Sequence, residues 1–290
     1  MRPMTLSQKN KGIFHIVLAA LCFSLMSFFI RLSGDLPSFE KAFFRNLVAA
    51  VVAAVLLARS PQGFRMKKGS LPFLLARSIA GSVGIVCNFY AVDHLPISDA
   101  NMLNKLSPFF AIIFSYFLLK EKANKTEWSA VIVAFVGALF VIRPTMDLAN
   151  LPALLGALGG LGAGIAYTFV RMLGKRGERG PFIVFFFSAF STLLMVPFML
   201  ADFKPMTGTQ LLFLLLTGAA AMGGQLNITA AYTCAPAKEI SVFDYSQILF
   251  AALLGFFFLG QIPDVLSFIG YAIIIGAAVF RWWVSNKKGN

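Results

Sequence analysis

Three cations and one carboxylate fall well inside long apolar runs of this chain: Arg45, Arg77, Lys105 and Asp244. A charge taken out of water is costly unless it meets a partner or a hydrated cavity, so residues of this kind mark sites and pathways. Lys105 shares one helical face with Asn101, Asn104 and Pro108, which follow the i, i+3, i+4, i+7 spacing counted from Asn101. That face carries two amides and a cation, and Pro108 removes a backbone donor and so frees a carbonyl. Side chains of this type hold a carboxylate or a phosphate through charge-assisted hydrogen bonds.

Depth sets the first expectations about partners. Arg45 lies roughly 6 Å below the outer end of its apolar run and Lys105 roughly 10 Å below the same side, at a rise of about 1.5 Å per residue. Two cations at similar depth repel, so either an anionic solute sits between them or Glu40 and Asp99 pair with them as an outer lock. Arg77, roughly 9 Å in from the opposite side, is expected to pair with Asp244 at roughly 8 Å. The alternative is an Arg77 that snorkels to the headgroups and an Asp244 hydrated in an open cavity. Lys105 and Asp244 enter from opposite faces of a core about 30 Å thick, and a bridge between them requires tilted or broken helices.

Other positions support these. Arg77, Gly81, Gly84 and Asn88 form one helical face whose glycines admit a neighbouring helix. Gly156, Gly160 and Gly164 repeat every four residues, a packing stripe. Tyr167, Asn227, Tyr245 and Gln247 are hydrogen-bonding candidates for the wall of a binding site. His15 reads as an interfacial or packing residue. No metal-ligand cluster, no nucleophile with a base and no phosphate-cradling loop is present, so no enzyme activity, metal or cofactor is expected. Cys22, Cys87 and Cys234 lie in or at the end of apolar runs without Cys-x-x-Cys spacing, which predicts reduced thiols.

The elements that must position these residues are membrane spans. Hydrophobic residues make up 58% of 290, only 13% are charged, and mean hydropathy is +0.79, values foreign to a water-soluble domain. The net charge of +13 sits in short loops rather than on one soluble face, which argues against a nucleic-acid partner. Ten apolar runs are expected as helices, at 12–31, 41–58, 71–92, 98–119, 127–142, 152–173, 181–200, 209–232, 239–259 and 264–283. Placing the N-terminus in the cytoplasm puts eighteen lysines and arginines at inner ends and four at outer ends. Retention of basic loops inside then predicts a multi-pass protein of the cell membrane with both termini cytoplasmic.

The chain is also duplicated. At an offset of 140, Pro96 matches Pro236, Asn101 matches Ser241, Asn104 matches Asp244 and Lys105 matches Tyr245. Arg31 with Arg171, Gly84 with Gly224, and Ala91 with Ala231 keep the same offset. Five spans per repeat is an odd number, so the second copy runs inverted. Inverted repeats imply alternating access around a midplane site between the halves. The matched loops Pro96–Asp99 and Pro236–Glu239 are then expected to close opposite faces in turn.

The second-helix arginine in Phe43-Phe44-Arg45-Asn46, the Pro96-x-x-x-Ala100 turn and Leu119-Lys120-Glu121 before a fifth helix ending at Gly137-Ala138 carry a resemblance. With ten spans in two repeats, the chain resembles the EamA-type family of the drug/metabolite transporter superfamily, over 13–143 and 152–283. The resemblance implies an all-α membrane protein of two inverted five-helix repeats, and a secondary transporter of a small molecule that contacts membrane lipid. Gln261 stands where the first repeat has Glu121, a departure from the pattern. The cation excess favours an amino acid, a zwitterion or an organic anion; an exporter of lipophilic cations is the alternative. Asp244 is the carboxylate a coupling proton would titrate, although a uniporter needs none.

Overall fold

The computed structural model describes residues 6–120, 125–142, 151–234 and 241–287. All its regular elements are helical: α1 (Leu6–Leu32), α2 (Ser38–Ala58), α3 (Leu71–His94), α4 (Ile97–Asn104), α5 (Ser107–Leu119), α6 (Lys125–Ile142), α7 (Leu151–Lys175), α8 (Gly180–Ala201), α9 (Gly208–Cys234), a 3-10 turn (Ser241–Tyr245), α10 (Ser246–Leu259) and α11 (Val265–Lys287). Eight apolar stretches are long enough to cross a membrane, counting Ile97–Leu119 of α4 and α5 as one; Trp128–Val141 and Phe243–Leu259 are shorter. Together they make the ten spans of the two inverted repeats. Proline opens α3, α5 and α8 in the first turn, where its missing N–H costs nothing.

Two expected helices are broken. The fourth span stops at Lys105, whose ψ is near 4°, and restarts at Ser107 with Pro108 behind it. The ninth begins as the 3-10 turn and becomes α-helical only at Ser246. In lipid a broken ladder must be satisfied by protein. Here the Tyr245 hydroxyl donates to the Lys105 carbonyl at 3.2 Å, and Ser24 donates to the Gln247 carbonyl at 2.8 Å. The far ends of these spans match too. Lys120 and Gly260, 140 residues apart, both close their helices in the left-handed conformation. Lys120 carries a Cβ there, a strain of about 1–2 kcal/mol that Gly260 avoids.

Helix packing follows the duplication. An offset of one repeat turns α1 into α7 and α3 into α9, and the structure packs α3 on α7 and α1 on α9. The pairs α2 with α8 and α6 with α11 each join an element to its own mate. The breaks of the fourth and ninth spans therefore meet near the pseudo-twofold axis, between the repeats. Buried side chains of α4, α5, α6 and α11 form one apolar cluster around them, and α1, α3 and α4 a second. Cys22 and Cys87 are free thiols, while the side chain of Cys234 lies outside the described residues.

The α2–α8 pair is tied at both ends by a carboxylate. Glu40 Oε2, at the start of α2, accepts from the Lys204 backbone N–H beyond α8 at 3.3 Å. Glu178 Oε2, just before α8, accepts from the Lys67 backbone N–H beyond α2 at 3.0 Å. Glu178 Oε1 also accepts from the Arg179 N–H, whereas Glu40 Oε1 is buried without a partner among the described residues. A hydrogen bond to a charged group is worth about 1.5–3 kcal/mol. Glu178→Ala is thus expected to lower stability by about that amount, and Glu40→Ala by less, in equilibrium unfolding of the detergent-solubilised protein. Equal losses would contradict this assignment.

Candidate functional site

Between the repeats lies a cavity of about 100 Å³, lined from α1, α2, α3, α4, α7, α8, α9, α10 and the 3-10 turn. Nine of the eleven residues singled out in the sequence line it: Arg45, Arg77, Asn88, Asn101, Asn104, Lys105, Tyr167, Asp244 and Gln247. Asn227 and Tyr245 do not. Asn227 bonds through Oδ1 to His15 Nδ1 at 2.8 Å, tying α9 to α1, and Tyr245 caps the Lys105 carbonyl as described. The volume leaves room for water or a small group, below the roughly 300–1,000 Å³ of a typical small-molecule pocket. This conformation is therefore contracted around its site.

The partners differ from those expected from depth. Lys105 Nζ lies 2.5 Å from Asp244 Oδ2, the bridge that the opposite entry of the two helices argued against. It forms because both spans are broken at the same level, so each helix delivers its charged side chain from a break rather than from a continuous wall. The expected Arg77–Asp244 pair does not form. Arg77 instead lies flat on Phe187, with Cζ 3.4 Å from the ring centroid, and Arg45 Cζ stands 5.7 Å from the same centroid. Gly81 makes this stack possible, since a Cβ there would lie 2.9 Å from the ring and 3.2 Å from Arg77 Nη1. Arg77 does not snorkel out: it is 5% exposed.

The outer lock of Lys105 and Arg45 with Asp99 and Glu40 is absent as well. Asp99 accepts from the Tyr271 hydroxyl, and Glu40 takes part in the α2–α8 tie. At the end of the bundle where α1 and α3 finish and α2 begins, it is Lys41 that forms an ion pair, with Asp93 at 2.6 Å, and Arg31 donates to the carbonyls of Val92 and Asp93. Neither pair was marked by sequence, because these residues sit at span ends where charges are ordinary. The second gating loop, Pro236–Glu239, lies outside the described residues.

Within the cavity the polar groups divide into two kinds. Asn101 is already committed: its Oδ1 accepts from Gln247 Nε2 at 2.6 Å and from Ser27 at 3.0 Å, and its Nδ2 donates to the Ile97 carbonyl. That network holds α1, α4 and α10 together at the axis. Arg45 and Arg77, 3% and 5% exposed, keep unsatisfied donors: Arg45 Nε, Arg77 Nε and Arg77 Nη1 have no partner among the described residues. Three cations and one carboxylate leave two positive charges in excess. Tyr167 is 43% accessible and lines the same space. Phe187 and Gln225 also line it and carried no sequence signal, one an ordinary phenylalanine in an apolar run and the other a lone amide.

Two inverted helical repeats that meet at a charged cavity near their axis define a membrane-transport fold. The EamA-like transporter family matches residues 10–143 and 150–282, and the chain belongs to this family. It is a multi-pass membrane transporter. The pseudopaline exporter CntI of Pseudomonas aeruginosa is 32% identical, over 95% of this chain and 97% of the relative. Solute carrier family 35 member G1 of Homo sapiens is 25% identical over 95% of this chain and 80% of its own. A riboflavin transporter of Vibrio cholerae is 27% identical over 96% and 95%. A crystal structure at 17% identity aligns with a TM-score of 0.67 over 98% of this chain and 99% of the other, which establishes the shared fold.

Proposed function

We propose that the protein is a secondary transporter of a small polar metabolite bearing an anionic group, an amino acid, zwitterion or organic anion, moved by alternating access. The observation that carries this reading is the Arg45–Arg77 pair, two buried guanidiniums beside one phenylalanine ring in the cavity lining, with N–H donors that have no partner among the described residues. Two unpaired cations held this close are costly, and an anionic group between them relieves both their repulsion and their unmet hydrogen bonds. The relatives named for pseudopaline and riboflavin support a small organic solute. Export of lipophilic cations is less well supported, because the cavity lining already carries two positive charges in excess and its one carboxylate is ion-paired with Lys105. The basic loops support cytoplasmic termini in the cell membrane.

Uptake into proteoliposomes, screened across organic anions, amino acids and lipophilic cations, tests this. Arg77→Gln is expected to reduce transport of the anionic solute by roughly 10- to 100-fold, the equivalent of one charged hydrogen bond. Saturable transport confined to lipophilic cations, unaffected by Arg77→Gln, would overturn the reading.

A further inference from the structure

The cavity holds orphaned acceptors as well as orphaned donors. Asn88 Oδ1 and Asp244 Oδ1 are buried without a partner among the described residues, just as the arginine N–H groups are. Both residues line the same cavity, and Asn88 is 6% exposed. A simple anion answers the arginines and leaves the acceptors unmet. A simple cation answers the acceptors and adds charge to a site that already has two positive charges in excess.

The two kinds of orphan lie at different levels. The Arg77 guanidinium is level with Gly81, where an added Cβ would stand 3.2 Å from Nη1. Asn88 is seven residues further along the same helix, about 10 Å at 1.5 Å per residue. Asn88 is also level with the break of the fourth span: an added Cβ at Gly159 would stand 3.1 Å from Asn88 Cβ, and one at Gly160 would stand 3.3 Å from the Asn104 carbonyl oxygen. That break presents Lys105 and, through it, Asp244. Ile85, Ala163, Ala166, Phe187 and Met26 supply apolar lining to the same cavity.

We infer that the site, once opened from the contracted form described above, takes an extended zwitterion, with its carboxylate on Arg45 and Arg77, its ammonium on Asn88 Oδ1 and Asp244 Oδ1, and an apolar spacer between. This rests on the anion reading above and narrows it. Hydrogen bonds of about 2.8 Å at each end shorten the gap the solute must span. The charges of the solute are therefore separated by several methylenes, beyond the reach of an α-amino acid.

A series of ω-amino acids measures the gap: glycine, β-alanine, 4-aminobutyrate, 6-aminohexanoate and 8-aminooctanoate. Binding to the full-length protein in nanodiscs, read by thermal shift and by competition for transport, is expected to peak between 4-aminobutyrate and 6-aminohexanoate. Hexanoate and hexylamine are expected to bind at least tenfold more weakly than 6-aminohexanoate. Asn88→Leu brings 6-aminohexanoate down to the level of hexanoate, whereas Asn88→Asp retains it, which separates loss of the acceptor from loss of the fold. Hexanoate binding as tightly as 6-aminohexanoate overturns this inference and leaves the anion reading standing. Hexylamine binding with no response to hexanoate overturns the anion reading itself. A flat length dependence, or no response to any member, also overturns the inference.

Discussion

Lys105→Met is expected to destabilise the protein by about 3–5 kcal/mol and to abolish transport. The methionine keeps the volume and removes the charge, but Asp244 is then left buried with neither oxygen partnered among the described residues, since Oδ1 has no partner there and Oδ2 loses Lys105. Breaking one side of a buried ion pair costs this much because the remaining charge is stranded, not because the pair itself is worth it. Asp244→Leu strands Lys105 in the same way. The double variant Lys105→Met/Asp244→Leu removes both charges and is expected to regain most of the stability while remaining inactive, since buried pairs replaced together are often neutral. A double-mutant cycle on unfolding free energy, run beside a transport assay, separates the two roles. Single variants as stable as the parent would show that the pair is not formed in the resting protein.

Gly160→Ala is the second large effect, expected at about 1–3 kcal/mol with loss of transport. The new Cβ would stand 2.6 Å from the Leu103 carbonyl oxygen and 3.3 Å from that of Asn104. Both are backbone atoms at the break that ends at Lys105, so they cannot rotate aside as a side chain would. Relief of the clash must move the break and with it the Lys105–Asp244 bridge. Gly164→Ala meets Phe110 Cβ at 2.5 Å and the Ser107 oxygen at 2.8 Å, and is expected to act the same way. Gly174, on the same helix with nothing within 4 Å of its added Cβ, is the control. Gly174→Ala is expected to be neutral or to stabilise slightly through helix propensity, by at most about 1 kcal/mol. Equal losses at Gly160 and Gly174 would contradict the packing account.

The stripe of Gly156, Gly160 and Gly164 was legible as a close-packing surface because small residues at four-residue spacing let another helix approach closely in lipid. What packs there was not: the stripe receives the unwound middle of the fourth span. The same limit applies to the charges. That Arg45, Arg77, Lys105 and Asp244 mark functional positions is an expectation from the cost of burying charge, and the 140-residue offset makes Lys105 the counterpart of Tyr245. The hydrogen bond from Tyr245 to the Lys105 backbone is that equivalence made physical.

The sequence by itself determined the class, the ten spans, the inverted duplication and most of the polar lining, because each follows from local hydropathy, spacing or self-similarity. Tertiary structure decided the pairing. Depth counted along continuous helices kept Lys105 and Asp244 apart and paired Arg77 with Asp244, but two helices that break at the same level reversed both expectations. Pro108 hinted at the first break; no proline lies within the described residues of the ninth span, Ser241–Leu259, whose break shows only when Tyr245 and Gln247 bond across the axis. Phe187, chemically indistinguishable from the many phenylalanines around it, became the platform for two arginines only because α2, α3 and α8 converge upon it. Which apolar ring faces a charge depends on helix rotation and convergence, and no periodicity within a single helix encodes that.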